Sequence, residues 1–395
     1  MPLGPVPPRV EERYAPLMRT PPTDRRLRLA LIGCGDVCFR RYLPELAELR
    51  DRVEIVAAVD SRDEAASRAV EAAAAWSPDA VAYPDIASML AAAVPVDAAF
   101  NLTPAPSHGA FNLQLLAAGL NVYSEKPLAS SREDADRLIE TARARELLLL
   151  CAPAVALTRR FQWMREIVDS GRFGRLSLAV ANYLDTGPAT WREYTGDPSI
   201  FYTPGVGPLF DHGVYQLHGL TTLLGPVAAL QAMGALAIPQ RVVRAGPLAG
   251  KTIPVTTQDH LLINLQFENG ALGQMLQSFA APKSRGPWLE LHFDTASLSW
   301  PGEMSDSDGK ASLFLDDDSP LGLEGWIHGL EPPPPVQEGG ILEQGIRHFV
   351  ACLRGEETPV LTAEHARHVL DVMLTVYEAI ADGQTHQVRS RFSRS

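Results

Sequence analysis

Residues 210–218 read FDHGVYQLH and place an acid, two histidines and a tyrosine within nine positions. Such a set offers metal ligation, proton transfer, or merely the polar side of a packed helix. At about 100° per residue, Asp211, Tyr215 and His218 fall along one helical stripe, whereas His212 and His218 lie roughly 120° apart. That angle argues against two helical histidines gripping one ion, and no metal site is expected. A second reactive group arrives in YSEKPLA, residues 123–129, where Lys126 stands before a rigid proline. An ammonium beside a tyrosine favours the phenolate and lowers a pKa that is otherwise near ~10. Should the fold bring the two together, Lys126 would in this way equip Tyr215 as a general acid/base, with Asp211 orienting the substrate; Lys126 as the proton carrier itself is an equally economical variant.

The elements that must position these groups begin with LRLALIGCGDVCFRRYLPEL, a short apolar strand, a glycine turn and a helical pattern. GCGDVC, residues 33–38, matches the glycine pattern of a dinucleotide turn except that Cys38 occupies the third small position. Gly33 would permit the tight turn. Gly35 would let backbone approach a pyrophosphate where Asp36 and Val37 open the helix and unpaired N–H groups attract anions. A second strand, VEIVAAVD, ends at Asp60, an acid placed to hold an adenosine ribose and so to favour NAD. Ser61 and Arg62 follow, and an arginine there can pair with the extra phosphate of NADP, so DSR is mixed and the balance falls to NAD. Strand candidates at 80–83, 97–103, 121–124 and 147–151 alternate with helical stretches, which implies a doubly wound parallel sheet.

Ligands bind outside the carboxyl ends of such strands. NLTPAPSH after the fourth strand brings Thr103 and Pro104 to line the cofactor, with His108 either a cofactor contact or a helix-end cap. YSEKPLA after the fifth brings Glu125 and Lys126 to the same mouth. After Cys151 the pattern changes to longer alternating runs such as RLSLAVANY, HLLINLQF and WLELHFD joined by turns, which indicates a mostly antiparallel sheet in an α+β domain. Trp191 and Arg192 lie in the loop before DPSIFYTPG and, with His212 and His218, are candidate substrate contacts or ordinary packing residues.

The joint order of GCGDV, TPAPSH, SEKPLA and GPLFDHGVY resembles the glucose-fructose oxidoreductase/inositol dehydrogenase/rhizopine catabolism (MocA) family, over roughly residues 27 to 395. The resemblance implies a Rossmann domain at 27–152 and a substrate-binding and oligomerisation domain at 153–395, whose large open sheet packs against a partner in a homodimer or homotetramer. It also implies hydride transfer between NAD or NADP and a secondary alcohol or ketone of a sugar, cyclitol or related polyol. In that family an acid on the substrate-side helix is followed four residues later by a histidine. Asp211 matches the acid, but Tyr215 stands in the histidine position and His218 where a further acid is often found. Two other functions stay open: a glycoside hydrolase that oxidises and re-reduces its substrate around tightly held NAD, and a nucleotide-binding regulator without catalysis.

With 395 residues, 46% hydrophobic and 21% charged, the chain has room for two cores. No apolar run approaches the roughly 18 residues of a membrane span. A net charge of -12 argues against a nucleic-acid footprint and leaves a small molecule as the expected partner. Four cysteines, with Cys34 and Cys38 in the glycine turn, do not make a disulfide framework, and a cytoplasmic setting is expected. The proline-rich residues 1–26 are expected to form an extended or disordered arm.

Overall fold

The computed structural model describes residues 25–192, 194, 196–302, 309–332 and 340–394; residues 1–24 of the expected arm lie outside them. The first half is built on six strands, β1 Leu27–Ile32, β2 Val53–Val59, β3 Val81–Tyr83, β4 Ala98–Asn101, β5 Asn121–Ser124 and β6 Leu149–Cys151. They pair in parallel in the order β3-β2-β1-β4-β5-β6. Their near-continuous burial, with all four residues of β4 inside, follows from helices covering both faces. The strand order reverses between β1 and β4, and the crevice at that switch point opens over the ends of β1, β4 and β5.

Two turns of helix are wider than α. Cys38–Tyr42 is a π-turn leading into α1, Leu43–Glu48. Leu43 N–H donates to the Cys38 carbonyl five residues back, and the next residue, Pro44, has no N–H with which to continue the ladder. The second is Leu209–Gly213, where Val214 N–H likewise bonds the Leu209 carbonyl.

The second half holds a nine-stranded sheet. In chain order its strands are β7 Leu178–Leu184, β8 Val227–Ala235, β11 His260–Phe267, β12 Leu272–Ser278, β13 Leu289–His292, β14 Ala296–Trp300, β15 Ala311–Leu315, β16 Gly325–Leu330 and β17 His386–Gln387. They are ordered β16-β15-β14-β13-β7-β12-β11-β8-β17, and only β7 and β12 run parallel. The two-stranded ribbon β9 Gln240–Val242 and β10 Thr252–Pro254 stands apart. Burial alternates residue by residue along β11, so one face of the sheet carries the core and the other is open. No helix among the described residues is long and apolar enough to cross a membrane.

The chain does not stay in its second half. Helix Ile341–Leu353 crosses back, and its Ile346, Phe349 and Val350 join the core made by Leu29, Leu31, Phe100 and Tyr123. Phe349 is fully buried, with ring centroids 5.3 Å from Phe100 and 5.6 Å from Tyr123. The segment that follows bonds the edge of β6, with Cys151 N–H donating to the Leu361 carbonyl at 3.1 Å. Helix Ala363–Asp382 then packs along β8 and clamps the two halves through Arg132, which meets Asp371 at 2.5 Å and Glu378 at 2.6 Å. Removing a buried phenylalanine costs about 3–5 kcal/mol. Phe349→Ala is therefore expected to lower the urea midpoint of the parallel-sheet half, measured by circular dichroism, despite lying nearly 200 residues beyond that half's last strand.

Candidate active site

The glycine turn after β1 is fixed from three sides. Gly33 has φ +91°, a left-handed conformation that side chains resist, and a Cβ there would meet Thr103 N at 2.9 Å. Its N–H donates to the Val59 carbonyl, and the next amide, Cys34 N–H, donates to Asp60 Oδ2 at 2.9 Å. At Gly35 a Cβ would meet nothing within 4 Å, so the backbone faces open space at the start of the helix. This cradle, with the first turn of a helix opening onto it, fits a dinucleotide pyrophosphate. Cys38 is fully buried beneath it, filling the place of the usual small residue. Val37 packs partly against the same core, while Asp36 turns its carboxylate to Arg40 at 2.7 Å.

Asp60 is committed to its own chain. Oδ1 accepts from the Arg62 amide at 2.9 Å and from its Nε at 3.1 Å, while Arg62 Nη2 reaches Oδ2 at 3.3 Å. Burial works against its charged form, but Arg62 and the Cys34 amide outweigh this and hold the carboxyl below its ordinary range. Arg62 and Ser61 are exposed beside it.

The loops after β4 and β5 are stapled together. Thr103 donates its amide and hydroxyl to Asn101 Oδ1, at 3.3 and 2.7 Å, and Pro104 is exposed at the crevice. His108 is buried with Nδ1 2.6 Å from the Pro127 carbonyl and Nε2 2.7 Å from the Thr103 carbonyl. Both ring nitrogens are occupied, so the histidine positions the two loops and has no polar atom left over for a cofactor. Glu125 likewise faces inward: Tyr42 OH donates to its Oε1 at 2.7 Å and the Lys126 amide to its Oε2 at 3.1 Å.

Lys126 leaves that loop and crosses to the π-turn. Its Nζ donates to the Asp211 carbonyl at 3.0 Å and to Asp211 Oδ1 at 3.1 Å, and sits 5.1 Å from the centre of the Tyr215 ring. Because an i→i+5 bond widens the turn, residues four apart come closer to eclipse than in an α-helix, and Asp211 and Tyr215 converge on one ammonium. Burial disfavours the ammonium, but Tyr215, Asp211 and Glu125 outweigh it and raise its pKa. Tyr215 departs from the expectation. Lys126 does pull its pKa down, yet burial, Glu125 and Asp211 push harder, and the net shift is upward. The site thus holds a neutral phenol beside an ammonium.

His212 stacks on Tyr183, with centroids 3.9 Å apart and planes 10° from parallel, and Trp191 stands edge-on at 5.5 Å. Trp191 is fixed by its indole N–H to Asp185 Oδ1 at 2.8 Å, an acid that also accepts from the Gly187 amide. Arg192 is exposed and is not brought to these groups. His218 also proves misplaced as a substrate contact. The α-helix Val214–Leu224 is buried nearly all round, and His218 faces away from Lys126 to lie 4.7 Å from the ring of His365 on helix Ala363–Asp382. Burial there, with His368 nearby, pushes its pKa down to about 3.

Sequence reasoning missed Tyr183, Asp185, Phe279 and Arg241. Arg241 is buried and ties the Thr186 carbonyl at 3.2 Å and the Phe279 carbonyl at 2.7 Å to Asp259. Only the end of the alternating run at Tyr183 hinted at a wall here, because the partners come from distant strands.

Residues 27–152 match the family model described as "Oxidoreductase family, NAD-binding Rossmann fold", and residues 161–299 the one described as "GFO/IDH/MocA C-terminal domain". A dTDP-3,4-didehydro-2,6-dideoxy-alpha-D-glucose 3-reductase of Actinomadura kijaniata is 29% identical over 69% of this chain and 82% of its own length. A D-glucoside 3-dehydrogenase of Escherichia coli is 29% identical over 83% of this chain and 95% of its own. The crystal structure of the WlbA dehydrogenase from Bordetella pertussis in complex with NADH and UDP-GlcNAcA superposes with a TM-score of 0.70 at 20% identity, covering 93% of this chain and 99% of that one. The six-stranded parallel order, the glycine cradle and the lysine held against an aspartate agree with these matches, and the chain belongs to the Gfo/Idh/MocA family of oxidoreductases.

Proposed function

We propose that the protein transfers a hydride between a nicotinamide dinucleotide and a secondary alcohol or ketone of a sugar, cyclitol or related polyol. The observation that carries this reading is the convergence of Lys126, Asp211 and Tyr215 at the mouth of the glycine cradle. The bound nicotinamide supplies or accepts the hydride. Tyr215 gives its phenolic proton to the substrate oxygen in reduction and takes it back in oxidation. Lys126 holds an ammonium where charge gathers on that oxygen, and Asp211 fixes Lys126 through Oδ1 while leaving Oδ2 for the substrate. The relatives named for sugar 3-reduction and 3-dehydrogenation support the substrate class. The cofactor reading is NAD, with Asp60 closing β2 beside the glycine turn, where it takes the Cys34 amide, and Arg62 drawn onto Asp60. The four cysteines are free and buried, which suits a reducing cytoplasm.

A second copy of the chain is the proposed partner for the open face of the large sheet. Cross-strand register aligns Met233 with Leu262, and Leu272 with Leu178, and all four are exposed there. The two pairs flank a row of Gln231, Asn264 and Gln274 on the same face, and exposed apolar pairs of this kind suit an interface.

A panel of sugars and polyols, followed at the nicotinamide absorbance band, tests the reaction; no turnover of any member by enzyme with added cofactor counts against it. Tyr215→Phe and Lys126→Ala should each lower turnover about 10²-fold or more. Because the Tyr215 phenol titrates above its usual 10.0, reduction should be nearly flat between about pH 6 and 9. Oxidation, which needs the phenolate, should climb about tenfold per pH unit over that range. Fluorescence titration should find NADH bound more tightly than NADPH, with Arg62→Ala widening the ratio about tenfold; tighter NADPH binding by the wild type would reverse the preference. Leu262→Asp should shift light-scattering mass toward the monomer.

A further inference from the structure

One polar atom beside the reacting pair has nothing to bond among the described residues. Asp211 Oδ2 is buried and has no hydrogen-bond partner among the described residues, although its twin Oδ1 holds Lys126. His212 Nε2 lies 3.4 Å from it, and that contact does not reach hydrogen-bond geometry. A buried carboxylate oxygen left open in this way costs stability and calls for a missing partner. Nor is the imidazole free to move away. Tyr183 stacks on one face, and the rings of Trp191 and Phe279 stand edge-on at 5.5 and 6.1 Å. Asp185 fixes Trp191, and Arg241 fixes the backbone at Phe279. The second half of the molecule thus holds one histidine rigidly, with its Nε2 turned to the open oxygen of the aspartate.

A single hydroxyl satisfies both atoms. An oxygen about 2.8 Å from each of two points 3.4 Å apart forms an unstrained triangle, donating its proton to Asp211 Oδ2 and accepting from His212 Nε2–H. Burial keeps the imidazole pKa below its usual value, against the pull of Asp211 and Asp185 and with that of Lys126. A neutral ring with Nε2 protonated is the form this requires. The two oxygens of one carboxylate therefore separate two jobs. Oδ1 serves the ammonium that faces the reacting oxygen, and Oδ2 with His212 serves the neighbouring one.

We propose that His212 and Asp211 Oδ2 form a hydroxyl reader, so that the substrate must carry a free hydroxyl on the carbon next to the one that exchanges hydride. The reader is a vicinal-diol or α-hydroxyketone filter, and His212 is its specificity-determining residue. It rests on the reading of Lys126 and Tyr215 as the reacting pair.

The test sets each substrate found in the panel against its analogue deoxygenated or O-methylated at the adjacent carbon. A site built to bond a hydroxyl rejects the analogue that lacks it by about 10⁴-fold in kcat/KM. His212→Phe, which keeps the stacking and removes Nε2, should bring that ratio down to about 10²-fold or less with cofactor affinity unchanged; His212→Gln, which can still donate, should restore part of it. Equal use of both analogues by the wild type, or an unaltered ratio in His212→Phe, overturns the proposal while leaving the oxidoreductase reading intact. A second measurement does not depend on turnover: cis-cyclohexane-1,2-diol and cyclohexanol are titrated into the NADH complex and followed by calorimetry. Binding of the diol alone, lost in His212→Phe, supports the reader even if no panel member reacts. Equal binding of the two, or binding of neither, overturns it.

Discussion

The molecule turns on one ion pair. Lys126 leaves the parallel-sheet half and is received by the carbonyl and carboxylate of Asp211 in the other half, with both side chains largely withdrawn from solvent. Charges taken out of water need good geometry and further hydrogen bonds to repay their lost hydration. Much of the surrounding structure supplies that geometry. Glu125 bonds the Lys126 amide and Tyr42, His108 staples the loop that follows, and a π-turn swings Asp211 toward the ammonium. The two halves of the chain are registered to each other at the proposed reacting point.

Electrostatics also bears on the tyrosine that stands where the family resemblance implies a histidine. A phenol enclosed beside Glu125 and Asp211 resists ionisation, and the adjacent ammonium only partly offsets that resistance. The pair is therefore set as donor and cation, which matches the demands of a carbonyl gaining hydride. The carboxylate oxygen that steadies Lys126 has a twin with no hydrogen-bond partner among the described residues, so on the proposed reading a single side chain serves both the reacting position and the one beside it.

Much of this was legible in the residues. The glycine turn, the acid after the second strand and the lysine after the fifth each belong to a contiguous stretch whose strand and helix periods are unambiguous, and they fall where those periods place them. What escaped depends on neighbours far along the chain. His218 shares a helical stripe with Tyr215 on paper, but the helix is buried on every side, and a helical wheel cannot say which neighbour covers which side. His108 looks like a cofactor contact until both its ring nitrogens are found on backbone carbonyls. The sign of the Tyr215 shift depended on how deeply the ring is buried, a quantity that spacing does not carry. Asp185, Phe279 and Arg241 meet only because β7, β12 and the β9–β10 ribbon are brought together from positions tens of residues apart.

The helix that returns from residue 341 to complete the first core has a bearing on synthesis. Domains generally fold as units as they leave the ribosome, N-terminal first. Here the six parallel strands have all emerged by residue 151, but the surface that Phe349 seals stays open until nearly the whole chain has been made. An oily face of Leu29, Leu31, Phe100 and Tyr123 must wait for about 190 further residues, which gives translation rate and chaperone access a direct hold on the yield of this protein.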